Sequence, residues 1–333
     1  MKAATYHRYG GPEVVSITEM PRPTPGENEV LIKVHASTVS AGDWRLRSLE
    51  VPRGFGLAVR AFAGWSRPRQ PVLGGDAAGV IVEKGAGVQG WGIGDAVVAY
   101  PSAKMGGHAE YLLMPAKGIL ALKPERLSFA EAAAIPFGGL TALEFLCDKG
   151  RLKAGEKVLI VGASGAVGSA AVQLARHLGA EVTAVCSGAN AALVKDLGAA
   201  HVVDYKAHDL ADLAARFDII LDTTETAPWS RVRHLLTRRG RLLVVSGGLG
   251  SMVRMLFNRR IIGGVSMGST EGLERLMQLV KEGAFFPLID RGYAFEQVAR
   301  AHAHVDTGRK TGAVVLAMLP EQQAAGAHTA HLE

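Results

Sequence analysis

Cysteine is scarce in this chain. Two residues, Cys147 and Cys186, are spread over 333 positions with no CxxC pair. A disulfide framework and a cysteine-rich metal site are thereby excluded, and the reducing cytoplasm is the expected location. An apolar leader is also lacking. The start Met1-Lys2-Ala3-Ala4-Thr5-Tyr6 carries no hydrophobic core, so no signal peptide is expected. Only one uncharged stretch, Val158 to Ala175, reaches membrane-spanning length. It holds three glycines, two serines and a glutamine and divides into a strand half and a helix half, so no membrane partner is expected. Basic patches interleaved with aromatics are missing too. The densest cluster, Arg231, Arg233, Arg238, Arg239 and Arg241, runs into glycines and apolar residues. It predicts a solvated face, and no nucleic-acid partner is expected.

What remains is an ordinary globular composition, 48% hydrophobic and 20% charged, with enough chain for about two domains of ~150 residues. The formal net charge of +6 suits an anionic ligand.

The first ~120 residues read as β-rich. Val30 to Val34, Gly79 to Glu83 and Asp95 to Tyr100 are short apolar or β-branched runs. Gly74-Gly75 and the glycines at 85, 87, 90, 92 and 94 punctuate them, a barrel-like pattern. Near residue 125 the pattern changes. Ser128 is a candidate cap for a helix over Phe129 to Ile135. Strands and helices then alternate: strand 157–161, helix 166–178, strand 181–185, helix 191–197, and strands at 202–203, 218–221 and 241–245. Such alternation predicts a doubly wound parallel sheet. Helices over 271–282 and 295–305 and a strand at 313–316 follow. The last ten residues, from Ala324, are unpatterned and read as a loose tail.

Strand, glycine turn and helix meet at Gly162-Ala163-Ser164-Gly165-Ala166-Val167-Gly168. The spacing is a variant of the dinucleotide fingerprint. Gly165 would let the backbone approach a pyrophosphate, Gly168 would let the helix pack on the strand, and the helix N-terminus would offer N–H groups to phosphate. NAD-specific sites place a carboxylate at the end of the second strand. Here that end is Cys186-Ser187-Gly188-Ala189-Asn190. With no carboxylate in it, and with Ser187 and Asn190 able to bond a 2′-phosphate, NADPH is favoured, NADH remaining open.

These residues resemble the medium-chain dehydrogenase/reductase superfamily, in its zinc-independent quinone-oxidoreductase-like branch. The likeness is carried by Val39 to Arg45, Pro71 to Val80, Gly106 to Tyr111, Ala132 to Pro136 with Leu140-Thr141-Ala142, the glycine turn, Leu197-Gly198-Ala199 with Asp204-Tyr205, and Asp306 to Gly312. It implies an α/β fold. A GroES-like β-rich domain of residues 1–121 and 267–333 would join a Rossmann domain of residues 122–266, the C-terminal segment returning to the first domain. It also implies a homodimer and an active site in the cleft between the domains. Ser40, Asp43 and Trp44 would lie near nicotinamide and substrate. Thr141 and Ser246-Gly247-Gly248 would line the nicotinamide end and Tyr205 the adenosine. Lys310 matches a basic position near the cofactor, a plain surface lysine being the other reading.

Departures from the family matter as much. Zinc-dependent relatives have Cys near Ser40, Gly-His-Glu near Gly75-Asp76, and a four-cysteine lobe after Tyr100; none is present, and His7, His35 and His108 are scattered. No zinc is expected. Without a Lewis acid, the expected reaction is hydride transfer to an already electron-poor quinone or α,β-unsaturated carbonyl. An NADPH-binding redox sensor without turnover and a biosynthetic enoyl or alcohol oxidoreductase are the alternatives. Ser40-Ala41 replaces the Asn-Pro of most relatives, and Gly188-Ala189 a Thr-Arg whose arginine grips the 2′-phosphate. No general acid or base stands out. The Arg- and aromatic-rich segment Leu49 to Arg69 reads either as a cover over the cleft or as a surface excursion.

Overall fold

The computed structural model describes residues 1–51, 54, 56–245, 247 and 249–318. The tail expected from Ala324 lies outside them. The N-terminal part contains β1 (Lys2–Thr5), β2 (Ser16–Glu19), β3 (Glu29–Val39), α1 (Ala41–Ser48), α2 (Gly56–Ala63), β4 (Ala77–Lys84), β5 (Ala96–Ala99), β6 (Tyr111–Pro115) and β7 (Leu120–Leu122). The 11-residue β3 is its spine, with alternating apolar residues and long β-branched runs. Its first half pairs with β6 and β4, its second half with β4 and the last strand of the chain.

Next come α3 (Phe129–Ala133) and α4 (Pro136–Leu143). Ser128 caps α3 as expected, in a reciprocal box: its hydroxyl accepts from Glu131 N at 3.1 Å and Glu131 accepts from Ser128 N at 2.8 Å. The helical run Phe129–Lys149 is long and apolar enough to span a membrane, but 72% of that window is buried inside the protein.

The second half continues with β8 (Lys157–Val161), α5 (Ala166–His177), β9 (Glu181–Cys186), α6 (Ala191–Asp196), β10 (His201–Asp204), β11 (Phe217–Asp222), α7 (Trp229–Val232), β12 (Leu236–Val244), α8 (Leu249–Phe257) and β13 (Ile261–Gly263). Its strands form one parallel sheet in the order β10-β9-β8-β11-β12-β13, the doubly wound dinucleotide-binding order. Both faces are covered. Val158, Ile160, Ile219 and Leu221 point into one core, and Leu159, Val161 and Ile220 into the other. Strand β12 starts earlier than the sequence suggests and carries the exposed Arg238 and Arg239. Two other members of the basic cluster are tied down: Arg231 pairs with Asp209 at 2.9 Å and Arg241 with Glu156 at 3.0 Å, while Arg233 is exposed.

The chain closes with α9 (Thr270–Lys281), β14 (Ile289–Ala294), α10 (Val298–Asp306) and β15 (Ala313–Ala317). β15 runs between β14 and β3, so the C-terminal segment completes the first sheet, ordered β14-β15-β3-β4-β5-β7. The two sheets meet where Gly312 N donates to the Ser164 carbonyl at 2.8 Å.

Candidate active site

The turn after β8 is built by steric exclusion. Gly162 has φ 81°, and a Cβ there would strike Thr224 and lie 2.5 Å from Thr223 Oγ1. At Gly168 a Cβ would collide with the Gly162 carbonyl oxygen and sit 2.7 Å from Ala163 Cα. Helix and turn are therefore in backbone contact, as the spacing implied. Gly165 differs: a Cβ would meet only the Gly162 oxygen, at 3.5 Å. Its outer face is open, and α5 starts behind it with no side chain capping its N-terminus. Dipole and donors are thus presented to that open face. Ala163 and Val167 are buried beneath, and Ser164 accepts from Asn190 Nδ2 at 3.0 Å. One strand further on, Ser187 to Asn190 form a short turn and Tyr205 is 56% exposed.

A carboxylate does face this loop, which corrects the sequence reading. Asp204 ends β10 in register with Cys186, and its Oδ2 lies 2.5 Å from where a Gly188 Cβ would be. It comes from the neighbouring parallel strand, where a rule about the end of β9 does not look. Together with burial, it raises the pKa of the Cys186 thiol.

Across from the turn lies a pocket shared by both sheets. Ser40, Thr38, Asp76, Phe137, Gly138, Lys310 and Ala166, the first residue of α5, line it. Ser40 and Lys310 both line it. Ser40 is also the N-cap of α1. Its hydroxyl donates to Asp43 Oδ2 at 2.6 Å and accepts from Gly42 N at 3.1 Å. Asp43 is fully buried; it also accepts from Ser40 N at 2.8 Å and from Gly74 N at 2.8 Å. Trp44 packs against the N-terminal core cluster that contains Tyr6, Val15 and Leu73 and is not among the residues lining the pocket. The Thr141 hydroxyl bonds back to the Phe137 carbonyl at 2.7 Å within α4. Gly247 lines a second pocket with Asp222, Glu225, Trp229 and Arg254, beyond the ends of β11 and β12. Ser246 and Gly248 lie outside the described residues, as do Arg53 and Phe55 of the expected cover. The rest of that segment holds α2, and its Leu57, Phe62 and Trp65 are exposed.

Asp76 went unassigned in the sequence. Its signal was a lone acid inside Gly74-Gly75-Asp76-Ala77-Ala78-Gly79. It is buried; Thr38 Oγ1 donates to Oδ2, and Oδ1 has no partner. Burial, reinforced by Asp43 and opposed by the Thr38 bond, pushes its pKa up to about 8. Lys310 donates to the Gly312 carbonyl at 2.6 Å. Burial brings its pKa down to about 8, against the pull of Asp290 and Asp76.

Known proteins share this arrangement. A family model described as "Alcohol dehydrogenase GroES-like domain" matches residues 26–125, and one described as "Zinc-binding dehydrogenase" matches residues 197–316. The chain is 32% identical over 332 residues to the chloroplast envelope quinone oxidoreductase homolog of Arabidopsis thaliana, covering 95% of this chain and 98% of that one. The chain belongs to the medium-chain dehydrogenase/reductase superfamily, in its quinone-oxidoreductase-like branch. It is also 30% identical to a chloroplastic NADPH-dependent alkenal/one oxidoreductase of Arabidopsis thaliana, covering 96% and 80% of the two chains. The structure of Escherichia coli quinone oxidoreductase complexed with NADPH superposes with a TM-score of 0.81 at 25% identity, covering 95% and 100%.

Whether the site suits zinc is a question of its donors. Neither Ser40 nor Gly75-Asp76 supplies a thiolate or imidazole, and the only cation lining their pocket is Lys310. His108, which bonds the backbone of the pocket residue Thr38, has its Nε2 on that carbonyl at 2.9 Å. Among the described residues no three His, Cys, Asp or Glu side chains group as a metal site. These residues do not fit a zinc ion. The cytoplasmic expectation is corrected: both Arabidopsis relatives are named as chloroplast proteins, which points away from the cytoplasm. Unpaired thiols distinguish reducing from oxidising surroundings and nothing finer.

Proposed function

We propose that this chain is an oxidoreductase that reduces a quinone or an α,β-unsaturated carbonyl with NADPH and without zinc. One observation carries the reading: the pocket where Ala166 at the head of the dinucleotide turn faces Ser40 and Lys310 from the other sheet. The names of the Arabidopsis relatives and the NADPH complex of the bacterial neighbour support it. The bound dinucleotide supplies a hydride.

The protein's part is positioning. Gly162 to Gly168 offer open backbone and a helix N-terminus to the pyrophosphate. Ser187, Asn190 and Tyr205 serve the adenosine end, and Thr141, Ser246, Gly247 and Lys310 the nicotinamide end. Ser40 shapes the acceptor pocket. Its single proton is engaged by Asp43, so Asp43 acts by holding Ser40, and the cation facing the acceptor is Lys310. Trp44 stabilises α1 from behind. Residues 1–121 with 267–333 form the catalytic domain, and 122–266 the cofactor domain. A homodimer is supported by β13, a sheet edge flanked by the exposed Phe257, Val265 and Met267; light scattering should return twice the 35.1 kDa chain mass.

The test is oxidation of NADPH and of NADH against a panel of quinones, enones and enoyl thioesters. Turnover with quinones or enones is the expected result. Tight NADPH binding with no turnover on any acceptor would instead select the sensor reading. Asp204 beside Gly188, with no arginine at Ala189, favours a second reading of the cofactor, in which NADH is also accepted.

A further inference from the structure

We infer that Asp76 and Lys310 together act as the general acid that delivers a proton to the reduced acceptor. The inference rests on the reductase reading above. Its ground is the supply of protons around the pocket. The Ser40 hydroxyl gives its proton to Asp43, and the Thr38 hydroxyl gives its own to Asp76. Phe137, Gly138, Ala166 and Ala313 bring no acidic side chain. Two ionisable groups remain on the wall, Asp76 and Lys310. The Lys310 ammonium has three protons, and the Gly312 carbonyl engages one. That same Gly312 is bonded to Ser164 of the dinucleotide turn, so the ammonium is tethered to the segment proposed to hold the cofactor.

Asp76 supports it from below. An ionised carboxylate with one bare oxygen, sealed from water, is costly unless a cation faces it. Oδ1 of Asp76 is such an oxygen. It is relieved either by holding a proton or by the Lys310 charge, and both states keep a proton in the pair. The surroundings tune this balance. Asp76 faces Asp43 from α1, Tyr100 beyond β5 and the backbone at Phe137 in α4. Lys310 faces Asp290 from β14, which is bonded in turn to His304 of α10. Burial is the main cause of the shifts of both groups toward about 8, and the attraction between the two charges opposes it.

The step balances as follows. Hydride adds to the β-carbon of an enone, and the π electrons shift to give an enolate. A Lys310 N–H bond breaks and a C–H bond forms at the α-carbon, leaving a saturated ketone. Solvent then returns a proton to the Lys310 amine, and the negative charge of Asp76 favours its uptake. A reduced quinone differs, because its oxyanion takes a proton from water without help.

The experiment compares enone and quinone reduction across pH in the wild type, Lys310→Met, Lys310→Arg and Asp76→Asn. The wild-type enone rate should fall tenfold per pH unit above about 8. In Lys310→Met it should drop by about a hundredfold or more, well beyond the drop in quinone reduction, which shares the lost contact at the cofactor end but not the lost proton. Lys310→Arg keeps the charge but cannot release its proton, and it should match the Met variant. An independent reading uses the free protein. The infrared band of a protonated carboxyl should be present below pH 8, absent at pH 10, and missing in Asp76→Asn. Unchanged enone rates and pH profiles in the Lys310 variants, or no such band, would overturn the inference. A wild type that reduces neither acceptor class would overturn the reductase reading itself. The Lys310 variants keep the test standing if Asp76→Asn does not fold.

Discussion

Alanine at Gly165 and at Gly168 should have opposite signatures, because the two glycines are needed for different reasons. At Gly168 the new Cβ would overlap the Gly162 carbonyl oxygen and press on Ala163 Cα at 2.7 Å. Both obstacles are backbone, so the head of α5 has to move away from the turn. Overpacking of this kind costs about 1–3 kcal/mol, and it should appear as a lower denaturation midpoint of the ligand-free protein. At Gly165 the φ of −75° suits any residue, and the nearest atom to a new Cβ is 3.5 Å away. Stability should stay within about 0.5 kcal/mol of the wild type. The methyl group would, however, stand in the open face offered to the pyrophosphate. Excluding the phosphate from its donors by one methyl is expected to forfeit one or two charge-assisted hydrogen bonds at about 1.5–3 kcal/mol each, or more than about tenfold in NADPH affinity. Fluorescence titration of NADPH, alongside urea unfolding of the free protein, measures both quantities. A Gly165→Ala protein that binds NADPH as tightly as the wild type would refute the placement of the cofactor on this turn.

Three further outcomes are expected. Ser187→Asp puts a second carboxylate beside Asp204 and should lower the NADPH-to-NADH ratio of kcat/KM by about tenfold; an unchanged ratio removes Ser187 from the 2′-phosphate site. Arg47→Met removes a buried guanidinium that bonds Gly10 O at 2.7 Å and Asp306 at 2.6 Å, and should destabilise the protein by about 3 kcal/mol in urea titrations. His302 is buried with neither ring nitrogen bonded, and burial lowers its pKa well below 6.5. The unfolded chain therefore binds a proton that the native one refuses. Stability should fall as pH drops below about 6.5, by up to about 1.4 kcal/mol per unit, and less steeply in His302→Phe.

The dinucleotide half was legible because its signals are local. Each strand there is short, apolar and closed by a turn, so 157–161 and 181–185 were read almost to the residue. Strand β14 was not read, since Ile-Asp-Arg-Gly-Tyr-Ala is half exposed and without alternation. The start of β12 was missed because Arg238 and Arg239 sit on it in solvent. In the site, the glycine turn announced itself by spacing. Asp76 did not, because it comes to share a pocket with Lys310 only when β15 enters the first sheet. Asp204 escaped notice for a related reason: parallel register places it beside Gly188, well away along the chain.

The late arrival of β15 also orders the life of the nascent chain. Synthesis delivers the turn at Ser164 well before its anchor at Gly312, and strand β3 long before the neighbour that covers its second half. Both gaps are closed by the same segment, which follows them by well over a hundred residues. The first sheet cannot fold ahead of the second as a finished unit, unlike an ordinary N-terminal domain. An interrupted chain would hold a glycine turn without its tether and a sheet with an open edge. Completion of the cofactor site thus waits for residue 312, so a product truncated before it is poorly placed to bind dinucleotide.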